Sequence, residues 1–109
     1  MNLTEFVTLA LDEDIRDGDH STLACIPADE QGKAILKIKE NGIIAGIEIA
    51  EQIFRTVEPD CRLTFHHKDG DSVQSGETAF TLEASVQTIL QTERLVLNIM
   101  QRMSGIATL

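Results

Sequence analysis

Residues 86–103 read VQTILQTERLVLNIMQRM, and the period of this stretch decides the fold class. Gln87, Gln91, Arg94, Asn98 and Gln101 recur at spacings of four and three. At 3.6 residues per turn they share one side of a helix. Val86, Ile89, Leu90, Leu97, Met100 and Met103 fill much of the remaining surface. Ser85 is a suitable N-cap and Ser104-Gly105 a suitable stop, so the spacing predicts a helix over 86–103. The polar seam holds one full charge, Arg94. A surface helix ordinarily shows solvent a broad charged face. A guanidinium among uncharged amides instead marks a hydrogen-bonding surface. Its planar fork matches carboxylate or phosphate, which makes Arg94 the candidate binding residue for a planar anion.

Upstream of this helix the period changes to two. Thr78–Glu83 and Cys61–His67 alternate as strands around a loop with Asp69-Gly70-Asp71 and Ser75-Gly76. Lys33–Lys39 alternates as well, with Ala34, Leu36 and Ile38 facing inward and Lys33, Ile35, Lys37 and Lys39 facing away. Asn41-Gly42 marks a turn, a helix is expected from Ile47 to Val57, and Pro59 stops it. At the amino end, Asn2-Leu3-Thr4-Glu5 has the form of a capping box. Leu3, Phe6, Val7, Ala10 and Leu11 then supply a helical stripe. The expected order is helix, strand, helix, strand, strand, helix. That mixture gives an α+β fold, an α/β sandwich with a mostly antiparallel sheet.

Bulk properties narrow the function. A length of 109 residues, 42% of them hydrophobic, makes one globular domain with a genuine core. A net charge of -9 argues against nucleic acid and anionic membranes as partners. The apolar run Ile43–Ala50 is broken by Glu48 and too short to cross a bilayer, and Met1–Glu5 lacks the basic residues of a signal peptide. Cys25 and Cys61 stand alone, without metal or redox spacing, which suits a reducing, cytoplasmic setting. Residues 104–109 begin a new apolar segment, which reads either as a piece of a longer protein or as a short docked terminus.

Other chemistry-bearing residues carry less. Counting a calcium loop from Asp12 puts Asp17 at position six and Leu23 at position twelve, where glycine and glutamate are needed. His20 lies in a Gly-Asp-His-Ser-Thr turn. His66 and His67 are adjacent on a strand and point to opposite faces. His67 shares a face with Cys61, Leu63 and Phe65, so a satisfied, partly buried imidazole is expected. Residues 70–85 resemble the hairpin of biotinyl and lipoyl carrier domains, but Ser85-Val86-Gln87 stands where the modified lysine would be. Glu93 shares a face with Ile89, Leu90, Leu97 and Met100, where it needs a cation or backbone amides and reads as a structural anchor.

The run from Glu93 to Thr108, ERLVLNIMQRMSGIAT, closely resembles the segment joining the two domains of quinolinate phosphoribosyltransferases. Glu13-Asp14 with Gly18-Asp19, Gly42–Gly46, and Asp69-Gly70-Asp71 with Gly76 extend the likeness over nearly the whole chain. The resemblance implies that residues 1–103 form the amino-terminal domain of a two-domain enzyme, with 104–109 beginning the connection to an α/β barrel. It implies a barrel that binds phosphoribosyl pyrophosphate with magnesium, and phosphoribosyl transfer to quinolinate with loss of carbon dioxide. The product would be nicotinate mononucleotide, for NAD synthesis. It also implies a homodimer in which the amino-terminal domain of one subunit closes the barrel mouth of the other. The family's arginine that reaches a quinolinate carboxylate falls on Arg94. The chain alone is then expected to be inactive. Two other readings stand beside this one. One is a related phosphoribosyltransferase-like protein, such as the type encoded with molybdate transporters, using another acceptor. The other is a non-enzymatic interaction module that docks a protein through the amide seam.

Overall fold

Alternation over Lys33–Lys39 becomes the second strand of a four-stranded sheet in a computed structural model that describes residues 6–11 and 30–109. The capping box Asn2–Glu5, the acidic stretch 12–19, His20 and Cys25 lie outside the described residues. The elements are β1 (Val7–Leu11), β2 (Gln31–Ile38), β3 (Gly42–Ile43), α1 (Ile47–Val57), β4 (Arg62–Phe65), β5 (Ser72–Val73), β6 (Thr78–Ser85) and α2 (Val86–Thr108). The main sheet has the order β1-β2-β6-β4 and every neighbouring pair is antiparallel. β3 and β5 form a short separate pairing. The α+β sandwich expected from the sequence is therefore the observed architecture.

Two local expectations are corrected. Val7–Leu11 is a strand rather than the end of a first helix, with Val7 opposite Ile38 and Leu11 opposite Ala34. A short stripe of this kind satisfies either period, and an isolated short helix is marginal in water. The free edge of β2 offers its backbone a full set of partners, and β-branched Val7 and Thr8 suit the pleat. The final helix also runs through Ser104-Gly105 to Thr108. Ser104 is drawn into the interior, where its hydroxyl accepts from Ala45 N–H at 2.9 Å and donates to Ala45 carbonyl at 3.1 Å. One turn later the Thr108 hydroxyl accepts from Ile43 N–H at 3.0 Å. These tertiary bonds hold the last turn where local signals predict an end.

The core lies between the sheet and the two helices. Ala34, Leu36 and Ile38 on β2 face it as expected, together with Phe80, Leu82 and Ala84 on β6. Ala79 and Phe80 are consecutive and both buried, which regular alternation forbids. A bulge resolves this: Leu36 pairs with Phe80, whereas Lys37 pairs with Thr78. Phe80 then meets Phe54 of α1 edge to face, with ring centroids 6.0 Å apart. The opposite face of the sheet is polar, and Lys33, Glu83 and Arg62 form one cross-strand row on it.

Candidate functional site

Helix α2 is fixed at both ends, which makes its middle a rigid platform. At its start the Ser85 side chain accepts from Thr88 N–H at 3.1 Å. Glu58 reinforces that cap, accepting from Ser85 N–H at 3.0 Å and from the Thr88 hydroxyl at 2.7 Å. Burial pushes the Glu58 carboxyl upward, but the bonds from the Ser85 N–H and the Thr88 and Ser85 hydroxyls prevail and hold it below its ordinary value. Towards its end Gln101 grips β1, donating to Val7 carbonyl at 3.1 Å and accepting from Phe6 N–H.

The predicted amide seam therefore divides. Gln91, Arg94 and Asn98 are exposed, whereas Gln87 and Gln101 are partly buried. Arg94 stands on the outer surface of α2 with no hydrogen bond or ion pair to another described residue. Leu95 beside it is 52% exposed. Arg102 emerges on the same outer surface. The seam reading missed it, although its spacing of four from Asn98 and eight from Arg94 was the available signal.

Glu93 does not find the anchor expected of it. Ile89 and Met100, which share its arc, are buried, yet no hydrogen bond or ion pair reaches Glu93 among the described residues. Burial lifts its carboxyl above the ordinary value, and the charge of Arg94 opposes that only in part.

The Asp69-Gly70-Asp71 loop has structural work. Gly46 cannot cap α1 with a side chain, and Asp69 does so from a distance, accepting from Ile47 N–H at 2.7 Å and Glu48 N–H at 3.3 Å. Asp71 accepts from Lys68 N–H at 3.0 Å and lies 3.2 Å from Nδ1 of His67, whose Nε2 is 3.3 Å from Glu77. The Lys68 N–H chiefly, with His67, keeps the Asp71 carboxyl below its usual value. His67 is partly buried as expected, but β4 ends at Phe65, so it and the exposed His66 lie beyond the strand rather than on its two faces.

An open groove of ≈ 390 Å³ lies between the first turn of α1 and the end of β4, lined by Ile47, Glu48, Phe65, Lys68 and their neighbours. Arg94 is not part of it. Among the described residues no three His, Cys, Asp or Glu side chains converge to hold a metal ion. No helix of the described residues is long and apolar enough to cross a membrane.

Comparison with known proteins gives this geometry a context. Residues 19–104 match the family described as quinolinate phosphoribosyl transferase, N-terminal domain. The chloroplastic nicotinate-nucleotide pyrophosphorylase (carboxylating) of Oryza sativa subsp. japonica is 42% identical over 109 residues, covering 99% of this chain and 29% of the relative. The mitochondrial quinolinate phosphoribosyltransferase (decarboxylating) 2b of Nicotiana tabacum is 45% identical, covering 99% of this chain and 31% of the relative. Among solved structures, NadC from Streptococcus pyogenes superposes with a TM-score of 0.76 at 33% identity, covering 87% of this chain and 34% of that one. The chain spans less than a third of the length of these curated relatives, 29% and 31%.

Proposed function

The chain belongs to the quinolinate phosphoribosyltransferase family, and from that premise we propose that it is the substrate-capping and dimerisation domain of an enzyme of NAD synthesis. That enzyme transfers phosphoribosyl from phosphoribosyl pyrophosphate to quinolinate and releases carbon dioxide. The observation that carries the reading is Arg94, an exposed guanidinium without a partner among the described residues, on a helix immobilised at both ends. In a homodimer it reaches into the barrel of the other subunit and takes a carboxylate of the acceptor.

The chemistry suits the residue. Quinolinate is a flat dicarboxylate, and a charge-assisted hydrogen bond to it contributes about 1.5–3 kcal/mol. Arg94 moves no proton. It holds the anionic acceptor in line while positive charge develops on the ribose, which is positioning and electrostatic work. Magnesium enters the proposal as the companion of the donor in polypeptide beyond this chain, and no role of these residues depends on it. A cytoplasmic setting belongs to the same reading. The plant relatives are designated chloroplastic and mitochondrial, so fractionation that finds the protein in an organelle would replace it.

Steady-state kinetics of Arg94→Ala in the complete enzyme test the assignment. The expected result is a kcat/KM for quinolinate about 10- to 100-fold lower, from loss of one charge-assisted contact, with KM for the phosphoribosyl donor unchanged. An unaltered kcat/KM for quinolinate would overturn it. Purified residues 1–109 mixed with both substrates are expected to give no product above background.

A further inference from the structure

Glu93 is a partly buried carboxylate with no hydrogen bond or ion pair among the described residues. It projects from the arc of α2 that faces the core. Val86 two turns before it and Met100 two turns after it are both 0% exposed, and Ile89 one turn before is 1% exposed. Glu93 itself stays partly exposed. An ionised carboxylate in such a place loses hydration and gains nothing in return unless a donor reaches it. Arg94 does not serve. The helix turns by about 100° between successive residues, and no ion pair forms between the two side chains among the described contacts.

The surroundings say where a donor comes from. Every cation that the described fold contributes lies beyond ion-pair distance of Glu93. Gln91, Arg94, Leu95, Asn98 and Arg102 are among the α2 residues that the domain leaves exposed. Most of the polypeptide in the relatives lies outside the region that this chain matches. A carboxylate and a guanidinium adjacent in sequence, neither with a hydrogen bond or ion pair among the described residues, form a dipolar pair for a docking surface of the complementary pattern.

We propose that Glu93 is a positioning residue beside Arg94, receiving a lysine or arginine side chain from the subunit whose site Arg94 completes. The inference rests on the reading of Arg94 as a contact across subunits. A cation seated on Glu93 fixes the rotation of α2 against that subunit and so fixes the stem of Arg94. Glu93 touches no substrate.

The test compares Glu93→Gln, Glu93→Asp and Arg94→Ala in the complete enzyme by sedimentation equilibrium and steady-state kinetics, and adds melting of residues 1–109. Glu93→Gln is expected to weaken subunit association at least tenfold and to raise KM for quinolinate severalfold with kcat within twofold. Glu93→Asp is expected to recover part of both. In residues 1–109 alone, Glu93→Gln is expected to raise the melting temperature. A purely internal anchor would lower it instead. Association and KM left unchanged by Glu93→Gln, or a lowered melting temperature of the 109-residue chain, would overturn the proposal. Arg94→Ala separates the two readings: it is expected to raise KM without weakening association. Should it leave KM unaltered, the Arg94 assignment fails on its own, and the association measurement on Glu93→Gln still decides the docking role.

Discussion

The Gln101 side chain pairs with the main chain of Val7 as a further strand would, donating to its carbonyl at 3.1 Å and lying 3.4 Å from its N–H across 94 residues of sequence. An edge strand is thereby stitched to the helix that carries Arg94. Helix α2 and β1 are neighbours only because the chain returns on itself, so this contact is a direct measure of tertiary assembly.

Gln101→Ala is expected to cost about 1–3 kcal/mol, since it leaves part-buried main-chain groups of β1 without partners. Hydrogen exchange should show the loss locally: the Phe6 and Val7 amides exchange faster while those of α1 do not. Equal acceleration at both places would mean that the contact has no local role.

Gly42 marks the other seam between α2 and the sheet. A Cβ at this position would lie 2.6 Å from Oγ1 of Thr108 and 2.8 Å from Cε2 of Phe6. Gly42→Ala is therefore expected to destabilise by about 1–3 kcal/mol through overpacking. Truncating Thr108 to alanine in the same chain should return part of that loss. The check is a double-mutant cycle by urea denaturation, and strict additivity would show that the two sites do not meet.

Two carboxylates give opposite pH dependences. Glu58 has its folded value held below its ordinary 4.5, so its contribution is present above that pH and is lost as pH falls through the folded value. Glu93 is raised above its ordinary 4.5, so its favourable contribution is full below that value and is lost as pH rises through the folded value. Melting curves from pH 3 to 7 should therefore show Glu58→Gln losing stability mainly at the upper end. Glu93→Gln should gain stability there. Identical pH profiles for the two variants would contradict both assignments.

Much of the fold was legible in order of residues. The alternation of Ala34, Leu36 and Ile38 fixed which face of β2 is buried, Pro59 marked the end of α1, and Ser85 the start of α2. These are local matters of period, capping and backbone restriction, and they need no knowledge of distant residues. Arg94 as an outward guanidinium followed from the same period, although Arg102 on the same outer surface did not.

Contacts between distant segments decided the rest. Val7–Leu11 has a pattern that suits either period, and it is a strand because β2 offers it an edge. Ser104 and Thr108 continue α2 past a local stop because Ile43 and Ala45 present backbone groups to their hydroxyls. Asp69, on a loop between β4 and β5, caps a helix that begins 22 residues earlier. Sequence determined the elements whose reasons lie within a few residues, since sterics and periodicity act at that range. Tertiary structure determined which strand edge, hydroxyl or carboxylate met its partner, because a backbone group or charge withdrawn from water is satisfied by whatever the fold brings within hydrogen-bond reach.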